Sequence, residues 1–286
     1  MFDMSGDFFV RATTYGDEMD LIRASLKVFP VPAFNDNYLW VIDDGQFAAV
    51  VDPGDAGPVI AYLEAQSLTL TTILITHHHG DHVGGIEDLL ARYPDNAIQV
   101  TGPANEDIPA CNSKLREGDA VRLAAPAIAF EVIDVPGHTA GHIAYYSVAA
   151  DWLFCGDTLF AGGCGRLFEG TAKQMQHSLA KLRALPPHTE FFCAHEYTLA
   201  NLRFALAVEP NNIALQKRIE ADTTTRARGE PTLPSTIGVE RETNPFLRWD
   251  TQDVKLAAQR ASSGKIGPNT APHLVFGAIR EWKNHF

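Results

Sequence analysis

Short apolar runs bounded by turn residues begin near Leu26 and predict a β-rich region. The first three runs, which are rich in β-branched and aromatic residues, cover 26–31, 37–42 and 47–52. Runs of this length between Gly, Pro and Asn are typical of strands. Helical periodicity is interleaved with them at 58–67, 86–93 and 171–185. Alternating strands and helices predict a layered α/β domain.

Four later strand-like runs each end just before a residue that can bind a metal. The runs cover 71–76, 127–135, 152–155 and 190–194. The residues that follow them are His77, His138, Asp157 and His195. Loops at strand ends can converge without disturbing the core of a layered fold. We therefore expect these four side chains to meet at one site.

The pattern changes after Tyr197, where β-type runs stop and helical periodicity takes over. Predicted helices cover 198–208, 211–228, 250–261 and 271–283, and a proline-containing stretch at 229–245 reads as a long loop. These features predict three parts of the chain. They are a tail without regular structure at 1–24, a metal-binding catalytic domain at 25–196 and an all-helical domain at 197–286.

Composition and charge narrow the possible functions. The chain has 286 residues, of which 45% are hydrophobic, so it can bury a full core. A net charge of -12 without a basic run disfavours binding to nucleic acid or to anionic membranes. The four cysteines form no C-x-x-C pair, which predicts a reducing, cytoplasmic location. No apolar run approaches the ~20 residues of a membrane span, and nothing demands a dimer, so we expect a monomer.

A dense cluster of metal-binding residue types follows the strand that ends at Thr76. His77, His79, Asp81 and His82 lie within six residues on one loop. Imidazole and carboxylate groups are ligands that borderline divalent metals prefer. The side chain of His78 is expected to point away from the target of its neighbours in an extended loop.

Several longer motifs carry a resemblance to a known family. The run T-H-H-H-G-D-H, with Gly137-His138-Thr139 and Gly156-Asp157-Thr158, resembles the metallo-β-lactamase superfamily. The runs from Cys155 to Gly170, from Ala194 to Thr198 and from Asn244 to Arg248 are similar to glyoxalase II, the hydroxyacylglutathione hydrolase family. The similarity extends from about Leu26 to Phe286. It therefore includes the helical region.

The resemblance implies a four-layer αβ/βα sandwich that holds two divalent metal ions. His77, His79 and His138 would bind one ion, and Asp81, His82 and His195 would bind the other. Asp157 would bridge the two ions, together with a hydroxide that attacks the substrate. Asp81 and Asp157 are thus the expected catalytic carboxylates. Zinc is the expected metal, although His and Asp also serve iron and manganese.

The same resemblance implies a glutathione thioester as the substrate, preferentially S-D-lactoylglutathione, which would give glutathione and D-lactate. Arg166, Tyr197, Arg280 and Lys283 match substrate-binding positions of the family. From the residues alone, Arg280 and Lys283 could equally serve the dipole of the last helix. Phe168 stands where the animal members have Tyr, and ordinary packing is its expected role.

Two other functions compete with thioester hydrolysis. A mononuclear-iron persulfide dioxygenase of the same superfamily would use fewer of these ligands. A non-enzymatic metal-binding module would use the helical domain as a docking surface. Asp52, which precedes Pro53-Gly54, is expected to be a turn former rather than a partner of a metal ligand.

Overall fold

The computed structural model describes residues 23–267 and 269–286. The predicted tail, 1–24, lies outside the described residues except for its last two. Of these, Arg23 donates a hydrogen bond from Nε to the carbonyl of Ala150 at 2.7 Å.

Two six-stranded sheets form the centre of the molecule. The first sheet is ordered β1 Lys27–Ala33, β2 Asn37–Asp43, β3 Phe47–Val51, β4 Thr69–Leu74, β5 Gln99–Pro103 and β6 Ser113–Leu115. It begins with antiparallel pairs and becomes parallel from β3 onwards. The second sheet is built from β7 Ala120–Ala124, β8 Ala127–Asp134, β9 Ile143–Ser147, β10 Trp152–Gly156, β13 Glu190–Cys193 and β14 Ser235–Thr236. Its order is β14-β13-β10-β9-β8-β7, and a two-stranded ribbon, β11 Leu159–Phe160 with β12 Gly163–Cys164, lies apart.

Helices lie outside the sheets and complete a four-layer αβ/βα sandwich. In the catalytic part they are α1 Ala56–Gln66, α2 Gly80–Val83, α3 Ile86–Arg92 and α4 Ala172–Arg183. Towards the C-terminus they are α5 Thr198–Val208, α6 Ile213–Ala227, α7 Ile237–Thr243, a 3-10 turn at Pro245–Leu247, α8 Gln252–Ala261 and α9 Pro272–Asn284. Thr171 and Gln174 form a capping box at the start of α4.

The core is divided between two hydrophobic clusters. The larger one joins Trp40 and Leu74 of the first sheet to Phe130, Tyr145 and Phe154 of the second. The smaller one packs β2, β3, β4 and β5 against α1 and α3. Strands such as β2 and β9 are buried along their whole length, because both of their faces are covered. Rigid strands therefore end at the loops that carry the predicted ligands.

The C-terminal region differs from its prediction in one place. The stretch 229–245 was expected to be a loop in an all-helical domain, but it contains β14 and α7. β14 adds an antiparallel edge to β13, so the C-terminal region is not purely helical. A two-residue strand has too little periodicity to be recognised, and its pairing is set by the sheet that it joins.

Candidate metal centre

The structure brings together all seven residues that were predicted as metal ligands. Their ligand atoms form three overlapping groups, each within 4.8 Å. We call His77, His79 and His138 the first group, and Asp81, His82 and His195 the second group. A third group contains Asp157 together with His77 of the first group and His82 of the second, so it links the two groups.

In the first group, ring nitrogens converge on one point. The Nδ1 atom of His79 lies 3.1 Å from Nε2 of His77 and 3.0 Å from Nε2 of His138. A zinc ion with bonds of about 2.0–2.1 Å in tetrahedral geometry requires ligand atoms roughly 3.3 Å apart. The spacing in this group therefore suits three ligands of one ion.

The second group has similar spacing. The Nε2 atoms of His195 and His82 lie 3.4 and 3.6 Å from Oδ2 of Asp81. Asp157 faces both groups with different oxygens. Its Oδ2 lies 3.4 Å from Nε2 of His138, while its Oδ1 lies 3.4 Å from Nε2 of both His82 and His195. A carboxylate in this orientation can bridge two ions about 3.5–4 Å apart.

The outer nitrogen of four histidines has a polar partner, which leaves the inner nitrogen free to bind a metal. Nδ1 of His77 lies 3.1 Å from Oγ1 of Thr76, and Nδ1 of His82 lies 3.1 Å from Oδ2 of Asp52. Nδ1 of His138 lies 2.9 Å from the carbonyl of Arg166, and Nδ1 of His195 lies 2.8 Å from Oδ1 of Asp36. Such partners select the tautomer and orient the ring.

The buried charges of the centre are coupled. Burial lowers the pKa of the imidazoles of His77, His79 and His138. Burial alone would also lower the pKa of His195, but hydrogen bonds to Asp157 and Asp81 outweigh it and raise the pKa to about 11. The positive imidazoles in turn hold the pKa of the Asp157 carboxyl below its usual range despite burial. Protons on the imidazoles thus balance the carboxylates, and metal binding would displace those protons.

One buried atom tests whether a cation fits. Both ring nitrogens of His82 are buried and make no hydrogen bond with a described residue; Nδ1 has the carboxylate of Asp52 at 3.1 Å, while Nε2 faces the cluster. Two carboxylate oxygens, from Asp157 and Asp81, lie 3.4 and 3.6 Å away. An uncompensated polar atom in the interior is costly, and a cation shared with these oxygens would satisfy it. The donor set is nitrogen and oxygen only, which suits divalent metals.

Close backbone approach packs the loops of the centre. A Cβ atom on Gly165 would lie 1.9 Å from the carbonyl oxygen of Asp157. A Cβ atom on Gly54 would lie 1.9 Å from the carbonyl oxygen of Asp81. Because these contacts are backbone contacts, no rotamer change could relieve them, and only glycine fits. Each glycine therefore lets one loop pack against the backbone of a predicted ligand, Asp157 or Asp81.

A cavity of about 520 Å³ connects the centre to the C-terminal helices. Its lining includes His138 and Asp157 from the cluster and all four predicted substrate-binding residues, Arg166, Tyr197, Arg280 and Lys283. The ring of Tyr197 stacks on that of His195 with centroids 4.7 Å apart. Metal-binding and cationic residues therefore share one open space.

The two basic residues of α9 are in different environments. Arg280 is 3% exposed, and its Nη1 donates to the carbonyl of Cys164 at 3.0 Å. Its Nη2 donates to Oδ1 of Asn284 at 3.1 Å. Lys283 is half-buried, with Nζ 5.0 Å from the ring centroid of Phe204. Only part of the hydrogen-bonding capacity of Arg280 therefore remains for a ligand.

Two side chains have roles that differ from those expected. Phe168 is 63% exposed, so ordinary packing is wrong; its ring lies 5.2 Å from that of His138 at the cavity. Asp52 has a positive φ of 50°, as a turn residue can, but its carboxylate also accepts hydrogen bonds from the amide and hydroxyl of Thr76, both at 2.7 Å. Oδ2 of Asp52 also lies 3.1 Å from Nδ1 of His82. Asp52 is thus both a turn residue and a contact of a predicted metal ligand.

Other polar contacts of the centre were not predicted. Asp36 lies in the turn between β1 and β2, Asn37 begins β2, and Nδ2 of Asn37 donates to Oδ2 of Asp81 at 3.1 Å. His142 accepts a hydrogen bond from the amide of Asp157 at 3.1 Å. An Asp-Asn pair at a turn, such as Asp36-Asn37, is common for local reasons, and a single histidine before a strand, such as His142, is not distinctive. The sequence therefore gives no signal for their contacts with the centre. Their function depends on contacts distant in sequence.

Comparison with known proteins agrees with the geometry. Residues 34–107 and 116–195 match the metallo-β-lactamase superfamily, and residues 196–286 match the C-terminus of hydroxyacylglutathione hydrolase. A hydroxyacylglutathione hydrolase from Cupriavidus taiwanensis is 54% identical over 271 residues, which cover 91% of this chain and 99% of the relative.

Solved structures share the fold. The structure of ETHE1 from Myxococcus xanthus has a TM-score of 0.59 and 24% identity, covering 90% of this chain and 97% of that one. A protein solved in a di-iron-bound form has a TM-score of 0.55 and 27% identity, covering 77% of this chain and all of that one.

The fold and the cluster of histidines and aspartates define a metallo-β-lactamase-type protein with a binuclear metal site. At the level of family, the chain belongs to the hydroxyacylglutathione hydrolases. This membership does not favour the persulfide dioxygenase or the non-enzymatic module. Among the described residues, no helix is long and apolar enough to cross a membrane.

Proposed function

We propose that this protein hydrolyses the thioester of S-(2-hydroxyacyl)glutathione, preferentially S-D-lactoylglutathione, to glutathione and D-lactate. Relatives with that named activity cover 91% of the chain at about 50–54% identity. The observation that carries the proposal is the shared cavity, in which Asp157 and His138 face the same space as Arg280 and Lys283. A substrate with a reactive carbonyl and a distant carboxylate fits that arrangement.

In this proposal, His77, His79 and His138 hold one divalent ion, and Asp81, His82 and His195 hold the other. Asp157 spans both positions, since its two oxygens face different groups. The relative solved with two irons supports a binuclear site, and zinc is the metal that we propose here. Two bound cations would lower the pKa of a bound water and polarise the thioester carbonyl.

The protein side chains set the charge of the centre. Asp81 and Asp157 stay ionised, because positive imidazoles and hydrogen bonds hold the pKa of both carboxyls low. They are the catalytic carboxylates of the proposal, since they fix the cations against the attacked carbonyl. The leaving thiol has a pKa near ~8.5, so it can depart as a thiolate without a general acid.

Arg166, Tyr197, Arg280 and Lys283 bind the glutathione part of the substrate in this proposal. The chain carries a net charge of -12, so an anionic substrate must meet local cations. Arg166 is exposed and lines the same cavity as Arg280 and Lys283 of α9. We further propose 25–196 as the catalytic domain and 197–286 as the substrate-binding domain.

A cytoplasmic monomer is the form that we propose. All four cysteines, which lie within the described residues, are free thiols, as a reducing compartment requires. Cell fractionation and light scattering of the purified protein test these two points separately from the activity.

The activity test compares thioesters directly. Zinc-loaded protein is mixed with S-D-lactoylglutathione, and loss of thioester absorbance is followed together with release of thiol. We expect turnover that depends on the metal and is far faster than with a β-lactam or a lactone. Equal turnover of these alternative substrates would refute the proposal.

A further inference from the structure

Glu106, in the turn after β5, contacts two of the loops that carry predicted metal ligands. Its side chain is only 3% exposed. Oε2 accepts hydrogen bonds from the backbone amide of His78 at 2.6 Å and from its Nδ1 at 2.9 Å. Oε1 accepts hydrogen bonds from the amide of Gly141 at 3.0 Å and from the hydroxyl of Thr139. Both carboxylate oxygens are therefore engaged.

The residues that Glu106 contacts are neighbours in sequence of every residue of the first group. His78 lies between His77 and His79, and Thr139 follows His138. Within the described part of the chain, the hydrogen bonds of Glu106 run to His78, Thr139 and Gly141 and to none of Asp81, His82 and His195. One carboxylate thus joins the loop of His138 to the His77–His79 part of the other loop, and it makes no hydrogen bond to a side chain of the second group among the described residues.

His78 extends the same connection. It points away from the cluster, as expected, and its Nε2 lies 3.4 Å from Oε1 of Glu169. Oε2 of Glu169 accepts a hydrogen bond from the amide of Ala140 at 2.7 Å. The imidazole therefore lies between two carboxylates that both bind the loop after His138.

We propose that Glu106 is a positioning residue for the first metal position, which it serves by fixing the His77–His79 loop against the His138 loop. The inference rests on the metal centre proposed above. A carboxylate offers lone pairs on both oxygens, so it can accept all four hydrogen bonds. An amide of the same shape would present its NH₂ group to two of these donors. Outer contacts of this kind change metal affinity by about 10–100-fold.

The test uses the full-length protein stripped of metal and titrated with Co²⁺ against a competing chelator. The wild type is expected to show two binding steps with separate visible spectra. The His195→Gln variant, which lacks a ligand of the second group, identifies the step that belongs to the first. We expect Glu106→Gln to weaken that step by about 10–100-fold and to leave the other within about threefold.

A matched control separates positioning from general loss of stability. Glu209 is also buried, at 1% exposed, and its carboxylate is bound by Arg248 at 2.8 and 3.0 Å in the C-terminal region. Glu209→Gln should lower the melting temperature without changing either Co²⁺ step. If Glu106→Gln does not fold, Thr139→Val removes a single donor and should weaken the same step by a smaller factor.

Equal weakening of both steps, no weakening, or the same change in Glu209→Gln would overturn the inference. The result is independent of the substrate. A wild type that binds two Co²⁺ ions but does not hydrolyse the thioester would refute the proposed function and leave the effect of Glu106 measurable.

Discussion

Lys283 offers a sharp test of how the substrate is bound. The side chain lines the cavity and is half-buried. Burial, together with the nearby Arg280 charge, lowers the pKa of its ammonium from 10.5 to about 8. Its positive charge is therefore present at neutral pH and is lost as the pH rises through about 8.

The size of the effect follows from the contact that Lys283 would make. A hydrogen bond to a charged group contributes about 1.5–3 kcal/mol, and the lower part of this range applies to a half-buried side chain. A loss of about 1.5–2 kcal/mol corresponds to roughly 10–30-fold in affinity. We expect Lys283→Ala to raise KM by that factor with little change in kcat, because the distant carboxylate is bound equally through the reaction.

The pH dependence supplies the second part of the test. An ammonium with a pKa of about 8 is roughly 90% charged at pH 7 and 10% charged at pH 9, so, with loss of the charge costing roughly 10–30-fold in affinity, wild-type KM should rise about five- to eightfold over this range. Lys283→Arg keeps its charge and should lack this rise. Steady-state kinetics of both variants and the wild type, with the same substrate stocks, check the prediction. A fall in kcat at constant KM, or the same rise in Lys283→Arg, would refute the reasoning.

Three further predictions concern the metal centre and the C-terminal region. Asp157→Ala should reduce the metal content from two ions to one or fewer and abolish hydrolysis; elemental analysis showing two ions would contradict the bridging role. Asp52→Asn, which disturbs the contact to His82, should lower metal affinity by about 10–100-fold in a chelator competition. Glu240 is fully buried and pairs with Arg218 at 2.7 Å, so Glu240→Leu should lower the free energy of unfolding by about 3–5 kcal/mol. Thermal melting should then fall by roughly 6–20 °C, and an unchanged midpoint would show that the pair is not needed.

The sequence predicts elements whose signals are local. The helix α5 has the predicted bounds, 198–208, and α4, at Ala172–Arg183, lies within the predicted helix 171–185. By contrast, β14 and α7 depend on a distant buried network. Glu240 accepts hydrogen bonds from the amide of Gly162 at 2.8 Å and from the hydroxyl of Ser235 at 2.8 Å. The pattern of apolar and polar residues within 229–245 carries no signal of these contacts, so β14 and α7 could not be predicted from it.

In the candidate site, the metal ligands could be predicted from the sequence, but their outer hydrogen-bond partners could not. Its expected ligands follow strand ends and have donor side chains, so their convergence could be predicted. Their outer partners could not, since Asp36, Asn37 and Asp52 lie in or next to turns, where Asp and Asn are common for local reasons. Asp36 is 159 residues from His195, and only the pairing of Asn37 with His195 across the two sheets brings them together.

The Arg-x-x-Lys pair of α9 shows why matching residues need not have matching roles. Both Arg280 and Lys283 line the cavity, and the sequence left their service to the helix dipole as an alternative. Arg280 donates hydrogen bonds to the carbonyl of Cys164, in β12, and to the side chain of Asn284. Its guanidinium therefore fixes the glycine-rich segment 162–165 against α9. Its Nε atom is buried without a hydrogen-bond partner among the described residues. Lys283 carries the more accessible charge. In the proposed function, Arg280 would thus both hold the cavity wall and offer its remaining donors to the substrate, while Lys283 and Arg166 would provide the charge that an incoming carboxylate meets first.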